Sequence, residues 1–246
     1  MNGLRVIPLE GLPEIRDGDD LAGLLLDAAA AAGGLESHDV VVVAQKVISK
    51  AEGQTVSLRD VEPSPRAREL AGDEDPRRLQ VILREASRIV RTRPPLVIAE
   101  TRHGFVCASA GVDASNAPGR DQLVLLPLDP DASAAALRAR LERATGVRLA
   151  VVVTDSFGRP WRQGTTDVAI GLDGLRPLRD LRGEQDAAGY ELHATVIATA
   201  DEIAGAAELV MGKTSRIPAA IIRGLQLDGS GTARELVMPP ERDLFR

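Results

Sequence analysis

Two runs of β-branched residues limit the fold of this chain more than any other feature. The first is DVVVVA, from Asp39 to Ala44, and the second is the valine run that leads into Asp155 in VRLAVVVTD. An unbroken apolar run of this kind is typical of a strand buried on both faces of a sheet. Such a sheet needs a covering layer on each side, so the two runs predict a layered α/β protein.

Helical and extended patterns alternate along the chain, as this architecture requires. LRVIP predicts a first strand, and Asp19 or Asp20 is expected to cap a helix that ends at Gly33 and Gly34. The later predicted elements are strands at PLVIAET, HGFVCASAGV, HATVIATA and PAAIIRG, and helices from Asp131 to Gly146 and from about Asp201.

The segment from Glu62 to Arg93 differs in composition, because it is charged and interrupted by prolines. Its apolar residues recur at three- and four-residue steps, at Leu79, Leu83, Ala86 and Val90. This spacing predicts a helical excursion with one packed and one solvated face, and a helix that binds a partner is the alternative.

Length and composition exclude several classes of protein. The chain has 246 residues, enough for one large α/β domain or for two closely joined lobes. Aromatic residues make up only 2% of the chain, and its net charge is −6. Base stacking and general attraction to nucleic acid or anionic lipid are therefore disfavoured, and small molecules are the expected partners.

The single cysteine and the absence of targeting signals indicate the cellular compartment and exclude some kinds of site. Cys107 is the only cysteine, so a disulfide framework and a thiolate metal cluster are excluded, and we expect its thiol to be buried. The sequence contains no signal peptide and nothing close to the ~20 apolar residues of a membrane span. We therefore expect a cytoplasmic protein with no membrane partner.

Three predicted strands lead into unusually polar segments. These are AQKVISKAEGQ after Val43, SAGVDASNAPGR after Ala108, and TDSFGRPWRQGTTD after Val153. Ligands of open α/β sheets gather beyond the carboxyl ends of strands, where loops converge. The three segments are therefore expected to form one site.

Each polar segment also has a simpler interpretation. Asp155 could simply cap the following turn, and Asp113 could form a turn with Ser115 and Asn116. The lysines of QKVISK could be surface charges.

Considered together, the three segments indicate a metal–phosphate site. Carboxylate, hydroxyl and amide oxygens without His or Cys suit a hard ion such as Mg²⁺ or Mn²⁺, and the three histidines show no metal-ligand spacing. Lysine, arginine and backbone N–H groups suit phosphate oxygens. The sequence contains no P-loop, no G-x-G-x-x-G fingerprint, no protein-kinase motifs and no G-x-S-x-G elbow.

These segments resemble the signature segments of a known family. VVVAQKVISKAEG, AGVDASN and TDSFGRPWRQGTTDVAIG are similar to those of the coenzyme F420-0:L-glutamate ligase family. GLPEIRDGDDLA near the start, and ADEIAGAAELVMGK with AAIIRG near the end, follow in the family's order. The resemblance runs from about Val6 to Phe245, which is nearly the whole chain.

The resemblance implies a GTP-dependent ligase that joins L-glutamate to the lactyl carboxylate of F420-0 and adds further glutamates in γ-linkage. It implies two divalent ions, Mg²⁺ or Mn²⁺, with help from K⁺. It also implies a homodimer of two-lobed mixed α/β subunits that are neither P-loop nor Rossmann folds. A carboxylate does not accept an amine at neutral pH, so the substrate would first become an acyl phosphate.

The resemblance also assigns roles to individual positions. The nucleotide would contact the residues of one set, namely Leu12, Pro13, Glu14, Ile15, Gln45, Lys50 and Asn116. Asp113, Asp155 and Ser156 would hold the metals, and Asp113, Asp155 and Lys50 would act in catalysis.

Two of these positions, and a third at Lys213, differ from what the resemblance leads us to expect. Gln45 stands where related sequences often have a small hydroxyl residue, and Ser156 stands where Thr is common. Lys213 stands where some relatives are expected to offer the metal an acidic or amide side chain, so this ligand is either missing here or supplied by Glu208.

The stretch after Asp155 also contains two arginines and the only tryptophan. Arg159 and Arg162 are expected to bind phosphate or a substrate carboxylate. We interpret Trp161 as a core or dimer-contact ring, with a stacking surface for the deazaflavin as the alternative.

Two other functions are compatible with the same residues. A metal-dependent phosphotransferase or phosphatase would use the same loops without glutamate. A catalytically silent nucleotide-binding module would bind without turnover. Glutamate-dependent release of phosphate from GTP would distinguish the ligase from both.

Overall fold

The computed structural model describes residues 3–117, 119–226 and 229–244, so Pro118 of the second polar segment and Phe245 lie outside the described residues. The helices are α1 (Leu21–Ala31), α2 (Gln45–Ala51), α3 (Pro65–Ala71), α4 (Pro76–Glu85), α5 (Pro130–Thr145) and α6 (Thr199–Met211). The strands are β1 (Arg5–Pro8), β2 (Val40–Ala44), β3 (Thr55–Ser57), β4 (Ala86–Arg93), β5 (Leu96–Thr101), β6 (Val106–Ala108), β7 (Gln122–Val124), β8 (Ala150–Arg159), β9 (Arg162–Asp173), β10 (Arg179–Asp180), β11 (Val196–Ile197) and β12 (Ala219–Arg223). No helix in the described ranges is long and apolar enough to cross a membrane.

The central sheet is mixed and has the strand order β1-β12-β2-β8-β9. Only β2 and β8 run parallel, with Val40 opposite Ala150 and Ala44 opposite Thr154, whereas the other neighbours are antiparallel. Smaller sheets join β4-β5-β6, β3-β7 and β10-β11. The expected mixed α/β class is confirmed, and the central sheet is not that of a Rossmann fold, whose strands are mostly parallel.

The two valine runs form the buried centre of this sheet, as predicted. Val41, Val43 and Val151 face a core that α1, α2 and α5 share. Val42 and Val152 face the opposite core, which is built largely on α6. Because side chains alternate along a strand, one apolar run can supply both layers.

A third apolar cluster is separate from the two on the central sheet. It contains Leu79 and Ile82 of α4, Ala67 of α3, Val97 of β5 and Leu123 of β7. This separate core fits the expectation of two joined lobes, although the division of the chain into domains stays a prediction.

The predicted ends of two helices agree with the structure to within a residue or two. Asp20 caps α1 by accepting a hydrogen bond from the backbone N–H of Gly23 at 3.0 Å. Asp129 caps α5, which ends before Gly146 in the left-handed conformation at φ 72°.

The helical prediction for the end of the Glu62–Arg93 segment is wrong. Helix α4 ends at Glu85, and Ala86–Arg93 form β4, which pairs with β5. Leu79 and Leu83 therefore lie on a helix, while Ala86 and Val90 lie on a strand. The pairing partner is the reason, because a ladder with PLVIAET outweighs the local helical spacing.

Two further predictions about the sheet need correction. HATVIATA does not form a full strand, since β11 covers only Val196–Ile197 and α6 already begins at Thr199. The strand that contains the second valine run also does not end near Asp155. This strand, β8, continues to Arg159 and turns into β9 as a long hairpin. The pairing of β8 with β9 takes the polar stretch into the sheet.

Gly171 of β9 allows α5 to approach the sheet closely. A Cβ at this position would come within 2.4 Å of the backbone carbonyl of Pro130 in the first turn of α5. Neither side of that contact is a flexible side chain, so the backbone would have to move.

We predict that Gly171→Ala lowers the free energy of unfolding by about 1–3 kcal/mol, the usual cost of overpacking. Gly158→Ala is the matched control on the same hairpin, because a Cβ there would meet nothing within 4 Å. Urea denaturation of both variants measures the difference, and equal unfolding free energies would contradict the packing argument.

Candidate active site

A cavity of about 800 Å³ opens where β2 ends and β8 continues. The ladder between the two strands ends at Ala44 opposite Thr154, and beyond this point β8 pairs only with β9. Five parts of the chain meet around the opening. The lining residues are Leu12, Pro13, Glu14, Ile15, Ala44, Gln45, Lys46, Val47, Lys50, Asn116, Thr154, Asp155, Ser156, Asp167, Glu208, Met211, Gly212, Lys213, Thr214, Arg216, Ile217 and Pro218.

Helix α2 carries two lysines into this cavity. QKVISKA was expected to be part of a loop, but it forms a helix directly after β2, so Lys46 and Lys50 lie one turn apart. Lys50 is only 5% exposed, and its Nζ lies 2.5 Å from Oε1 of Glu14. The interpretation of Lys50 as a surface charge is therefore wrong.

Gln45 offers a polar atom that the protein itself does not use. Its side chain is buried, and its Oε1 accepts a hydrogen bond from Ser49 Oγ at 2.8 Å. Its Nε2 is buried without a hydrogen-bond partner among the described residues. Leaving a buried donor unpaired is costly, so the cavity contains a donor that a ligand atom can satisfy.

Asp113 does not line the cavity itself, but it forms an ion pair with Lys46, which does. Its Oδ2 lies 2.6 Å from Lys46 Nζ, and its Oδ1 accepts a hydrogen bond from the backbone N–H of Ser115 at 2.6 Å. The turn considered as the simpler interpretation is therefore present, but the same carboxylate also pairs with a cavity lysine. Burial alone would raise the pKa of Asp113, whereas Lys46 and Ser115 together bring it below its ordinary value.

Asp155 is the electrostatically unusual group of the site. Burial raises the pKa of its carboxyl to about 7 from the ordinary 3.8, and the neighbouring carboxylates of Asp113 and Asp167 act in the same direction. The backbone N–H of Ser156 and the charge of Lys46 oppose this rise only in part. The carboxylate therefore lacks enough positive charge around it to stay fully ionised at neutral pH.

Asp167 is a site residue that the sequence interpretation missed. It lies on β9 directly opposite Ser156, is 7% exposed, and lines the cavity. Its Oδ1 accepts from Ser156 Oγ at 2.6 Å, and its Oδ2 accepts from Thr154 Oγ1 at 3.1 Å. The only sequence signal was a second Thr-Asp pair after the first, and its meaning depends on the hairpin that brings the two pairs together.

The oxygen atoms of this region suit a hard cation only if a bound ligand supplies the remaining oxygen atoms that coordinate it. Within the described ranges, no group of three or more His, Cys, Asp or Glu residues is placed to hold a metal ion. Asp155 and Ser156 line the cavity together, with Asp113 next to them. Mg²⁺ is commonly bound by one or two carboxylates together with substrate phosphates and water, and this donor set matches that pattern.

The chain matches the model of the family described as F420-0:Gamma-glutamyl ligase over residues 11–224. This match covers most of the chain. The chain belongs to the F420-0:gamma-glutamyl ligase family.

Curated relatives extend the similarity to full length. The chain is 47% identical over 257 aligned positions to the coenzyme F420:L-glutamate ligase of Methanopyrus kandleri, with both chains fully covered. It is 44% identical to the protein of that name from Methanothermobacter thermautotrophicus, with 99% of each chain covered. With the Methanocaldococcus jannaschii protein of that name it shares 42% identity, covering 99% of this chain and 97% of the other.

Most positions that the family resemblance assigned meet in the one cavity. Those that line it are Leu12, Pro13, Glu14, Ile15, Gln45, Lys50, Asn116, Asp155 and Ser156, and only Asp113 lies behind the wall. Lys213, where the expected metal ligand would be missing, and Glu208, which would supply it instead, both line the cavity as well. Their roles toward nucleotide and metal stay predictions.

The tip of the β8–β9 hairpin does not line the cavity. Arg159 and Arg162 are exposed there, and Arg159 donates a hydrogen bond to the carbonyl of Gln163. Trp161 is 81% exposed, so its interpretation as a core ring is wrong, while a dimer contact or a stacking surface stays a prediction.

The raised pKa of Asp155 predicts that the stability of the protein depends on pH. Between the ordinary pKa of 3.8 and about 7, the native carboxyl keeps a proton that the unfolded chain has lost. The unfolded state then binds fewer protons, so the free energy of unfolding falls as pH rises through this window and levels off above it.

We predict that Asp155→Asn removes this fall, so that the variant gains stability relative to the unchanged protein between pH 4 and pH 8. Denaturant unfolding in EDTA at several pH values measures it, with exposed Asp73→Asn as the control. Parallel stability curves for the unchanged protein and Asp155→Asn would show that the Asp155 carboxyl titrates normally.

Proposed function

We propose that this protein is a GTP-dependent ligase that joins L-glutamate to the lactyl carboxylate of coenzyme F420-0 and then adds further glutamates in γ-linkage. The proposal rests on one observation above all. Residues from five separate parts of the family motif converge on one cavity, which also carries a buried lysine and a buried carboxylate. Its volume of about 800 Å³ lies within the range of small-molecule sites.

The cavity has the charge pattern that a nucleotide polyphosphate requires. Lys46 and Lys50 enter it from one face of α2, and Lys213 and Arg216 enter from the segment after α6. The Nε2 atom of Gln45 is an additional donor. Hydrogen bonds from positioned cations and N–H groups to charged phosphate oxygens are stronger than their hydrogen bonds to neutral acceptors.

The lysines are held in position before any ligand binds. Lys50 pairs with Glu14, and Lys46 pairs with Asp113. Because Glu14 is largely exposed, it can leave Lys50 when a phosphate takes its place, whereas Lys50 itself stays fixed by burial. Lys50 is therefore our choice for the cation that holds the transferring phosphate.

The reaction we propose has two steps, since oxide is not a viable leaving group from a carboxylate. The lactyl carboxylate oxygen attacks the γ-phosphorus of GTP, and GDP leaves with the electron pair of the broken P–O bond. The α-amine of glutamate then attacks the acyl phosphate, and inorganic phosphate leaves while the amine loses a proton. Within this scheme the protein binds and orients the reactants.

The described residues also disfavour a covalent enzyme intermediate. Burial raises the pKa of the Cys107 thiol to about 12, so the thiol is not a nucleophile at neutral pH. Asp155, Ser156 and Asp113 are instead the residues that would hold Mg²⁺ or Mn²⁺. A divalent ion of this kind neutralises phosphate charge when it is bound.

The location, a further cofactor and the oligomeric state of the enzyme also follow from the family resemblance and the sequence. We propose that it acts in the cytoplasm, with K⁺ as a further cofactor and as a homodimer. The exposed Trp161 at the hairpin tip is a candidate for the contact between the subunits.

The experiment that tests the proposal is mass spectrometry of F420-0 incubated with this protein, GTP, L-glutamate and Mg²⁺ or Mn²⁺. Products separated by successive glutamyl masses are the expected result. Phosphate release from GTP without glutamate would instead support a phosphatase, and binding of GTP without any turnover would support a silent module.

Oxygen labelling tests the acyl-phosphate step in the same reaction. F420-0 that carries ¹⁸O in its lactyl carboxylate should transfer one labelled oxygen to the phosphate released during ligation. Unlabelled phosphate, or phosphorylated protein on the reaction path, would disprove this step even if ligation occurs.

We predict that Lys50→Ala weakens GTP binding roughly 10- to 100-fold, the range expected when a charge-assisted hydrogen bond is lost. The KM for glutamate should change much less. Isothermal titration with GTP and steady-state kinetics measure both effects, and Arg143→Ala, an exposed change on α5, is the control. Unchanged GTP affinity in Lys50→Ala would remove Lys50 from the nucleotide site.

A further inference from the structure

Asp167 is buried without the charge partner that a buried carboxylate normally has. No Lys, Arg or His within the described part of the chain forms an ion pair with it, whereas Asp113, Asp39 and Asp173 each pair with a basic side chain. Its contacts are two hydroxyl groups, Ser156 Oγ at 2.6 Å and Thr154 Oγ1 at 3.1 Å. Burying an unpaired carboxylate is costly, so a purely structural role would be better filled by an apolar side chain.

The two hydroxyl groups are not equivalent partners. Thr154 Oγ1 has only one proton, and it lies 3.0 Å from the carbonyl oxygen of Val168 as well as 3.1 Å from Asp167. Ser156 Oγ has Asp167 as its described acceptor, at the shorter distance. The hydrogen bond between Ser156 and Asp167 is therefore the stronger one.

This hydrogen bond fixes what the Ser156 hydroxyl presents to the cavity. A serine hydroxyl has one proton and two lone pairs, and the carboxylate accepts the proton. Both lone pairs are then available to a cation, whereas a freely rotating hydroxyl would offer its proton part of the time. A cation ligand of this type is held by an acceptor behind it, as ligating side chains commonly are.

The position of the pair on the strand agrees with this role. Ser156 and Asp167 face each other across β8 and β9 beyond the end of β2, and both line the cavity. Asp155 precedes Ser156, so its side chain leaves the opposite face of the strand. Both side chains nevertheless line the cavity, because β2 no longer covers this edge of β8.

We propose that Asp167 is a positioning residue that holds the Ser156 hydroxyl with its lone pairs toward the cavity, so that Ser156 and Asp155 together bind a divalent cation. This inference rests on the proposed function, because it requires that a cation binds at Asp155 and Ser156. Asp167 acts through Ser156 and does not itself contact the cation.

The test is a Mn²⁺ titration of the full-length protein in the presence of GDP, with free Mn²⁺ followed by electron paramagnetic resonance. Asp167→Asn should weaken Mn²⁺ binding roughly 10- to 100-fold, the usual effect of losing such an outer partner. Ser156→Ala should weaken it by a similar factor, and the double variant should be no worse than Ser156→Ala alone. Ser156→Thr, which keeps the hydroxyl, should bind Mn²⁺ as the unchanged protein does.

Two controls separate this role from a contribution to the fold. Thr154→Val removes the other hydroxyl from Asp167 and should leave Mn²⁺ affinity within about twofold, although its unfolding temperature falls. Asp167→Glu keeps the charge but displaces the carboxylate, so it should also lose affinity and provides a second measurement if Asp167→Asn does not fold.

Three results would overturn the inference, and they differ in what they leave standing. Normal Mn²⁺ affinity in Asp167→Asn, together with a loss in Ser156→Ala, would refute the role of Asp167 and leave the proposed function intact. Losses that multiply in the double variant would show that Asp167 acts independently of Ser156. Absence of Mn²⁺ binding in the unchanged protein would refute the metal site of the proposed function together with this inference.

Discussion

The cavity depends on the unequal lengths of two paired strands. β2 and β8 run side by side from Val40 opposite Ala150 to Ala44 opposite Thr154, and then β2 turns into α2 while β8 continues to Arg159. Because the paired part is buried on both faces, its position is fixed by packing from both layers. The part of β8 beyond the end of β2, which pairs only with β9, therefore carries Asp155 and Ser156 into the cavity on a rigid support. A loop at the same place would position them less well.

The charges around this opening are arranged in pairs across different elements. Lys50 on α2 meets Glu14 from the segment after β1, and Lys46 meets Asp113 from the segment after β6. Each pair ties α2 to a neighbouring part of the chain, which keeps the lysines apart and extended. Asp155 and Asp167 are the exceptions, because no described basic side chain forms an ion pair with either of them. The cavity is thus lined both by lysines and by two carboxylates that have no ion-pair partner among the described residues.

The sequence predicted the parts of this arrangement that depend on local signals. The valine runs identified β2 and β8, Asp20 and Gly146 identified helix ends, and the motif positions led to the residues of one cavity. The errors share a cause, namely pairing between distant segments. The first half of β9, Arg162 to Asp167, is polar and contains Gly164, so only its ladder with β8 makes that half a strand. Asp167 was missed for the same reason, because its partners lie across the hairpin.

Two other errors have different physical origins. QKVISKA contains two β-branched residues and two lysines, and no local signal outweighed the interpretation as a polar loop at a strand end. It is helical because Val47 and Ile48 pack into the core beneath the sheet. For Trp161, only the expectation of a core ring is wrong, because buried residues are mostly apolar but single exposed apolar residues are normal on protein surfaces. Its exposure follows from its place at a hairpin tip.

Stability and function are coupled at the end of β8. Without a ligand, burial keeps a proton on Asp155 well above the pH at which an aspartate normally loses it, and the protein bears that cost in its own fold. Binding of a cation to the native state alone would release this proton and stabilise the fold, since any ligand that prefers the native state does so. The neighbouring carboxylates of Asp113 and Asp167, which help to keep the proton on Asp155, would attract a cation to the same place. If a cation binds here as we propose, the cost to the fold and the affinity for the cation would have one physical cause, which is the burial of carboxylates without enough basic side chains around them.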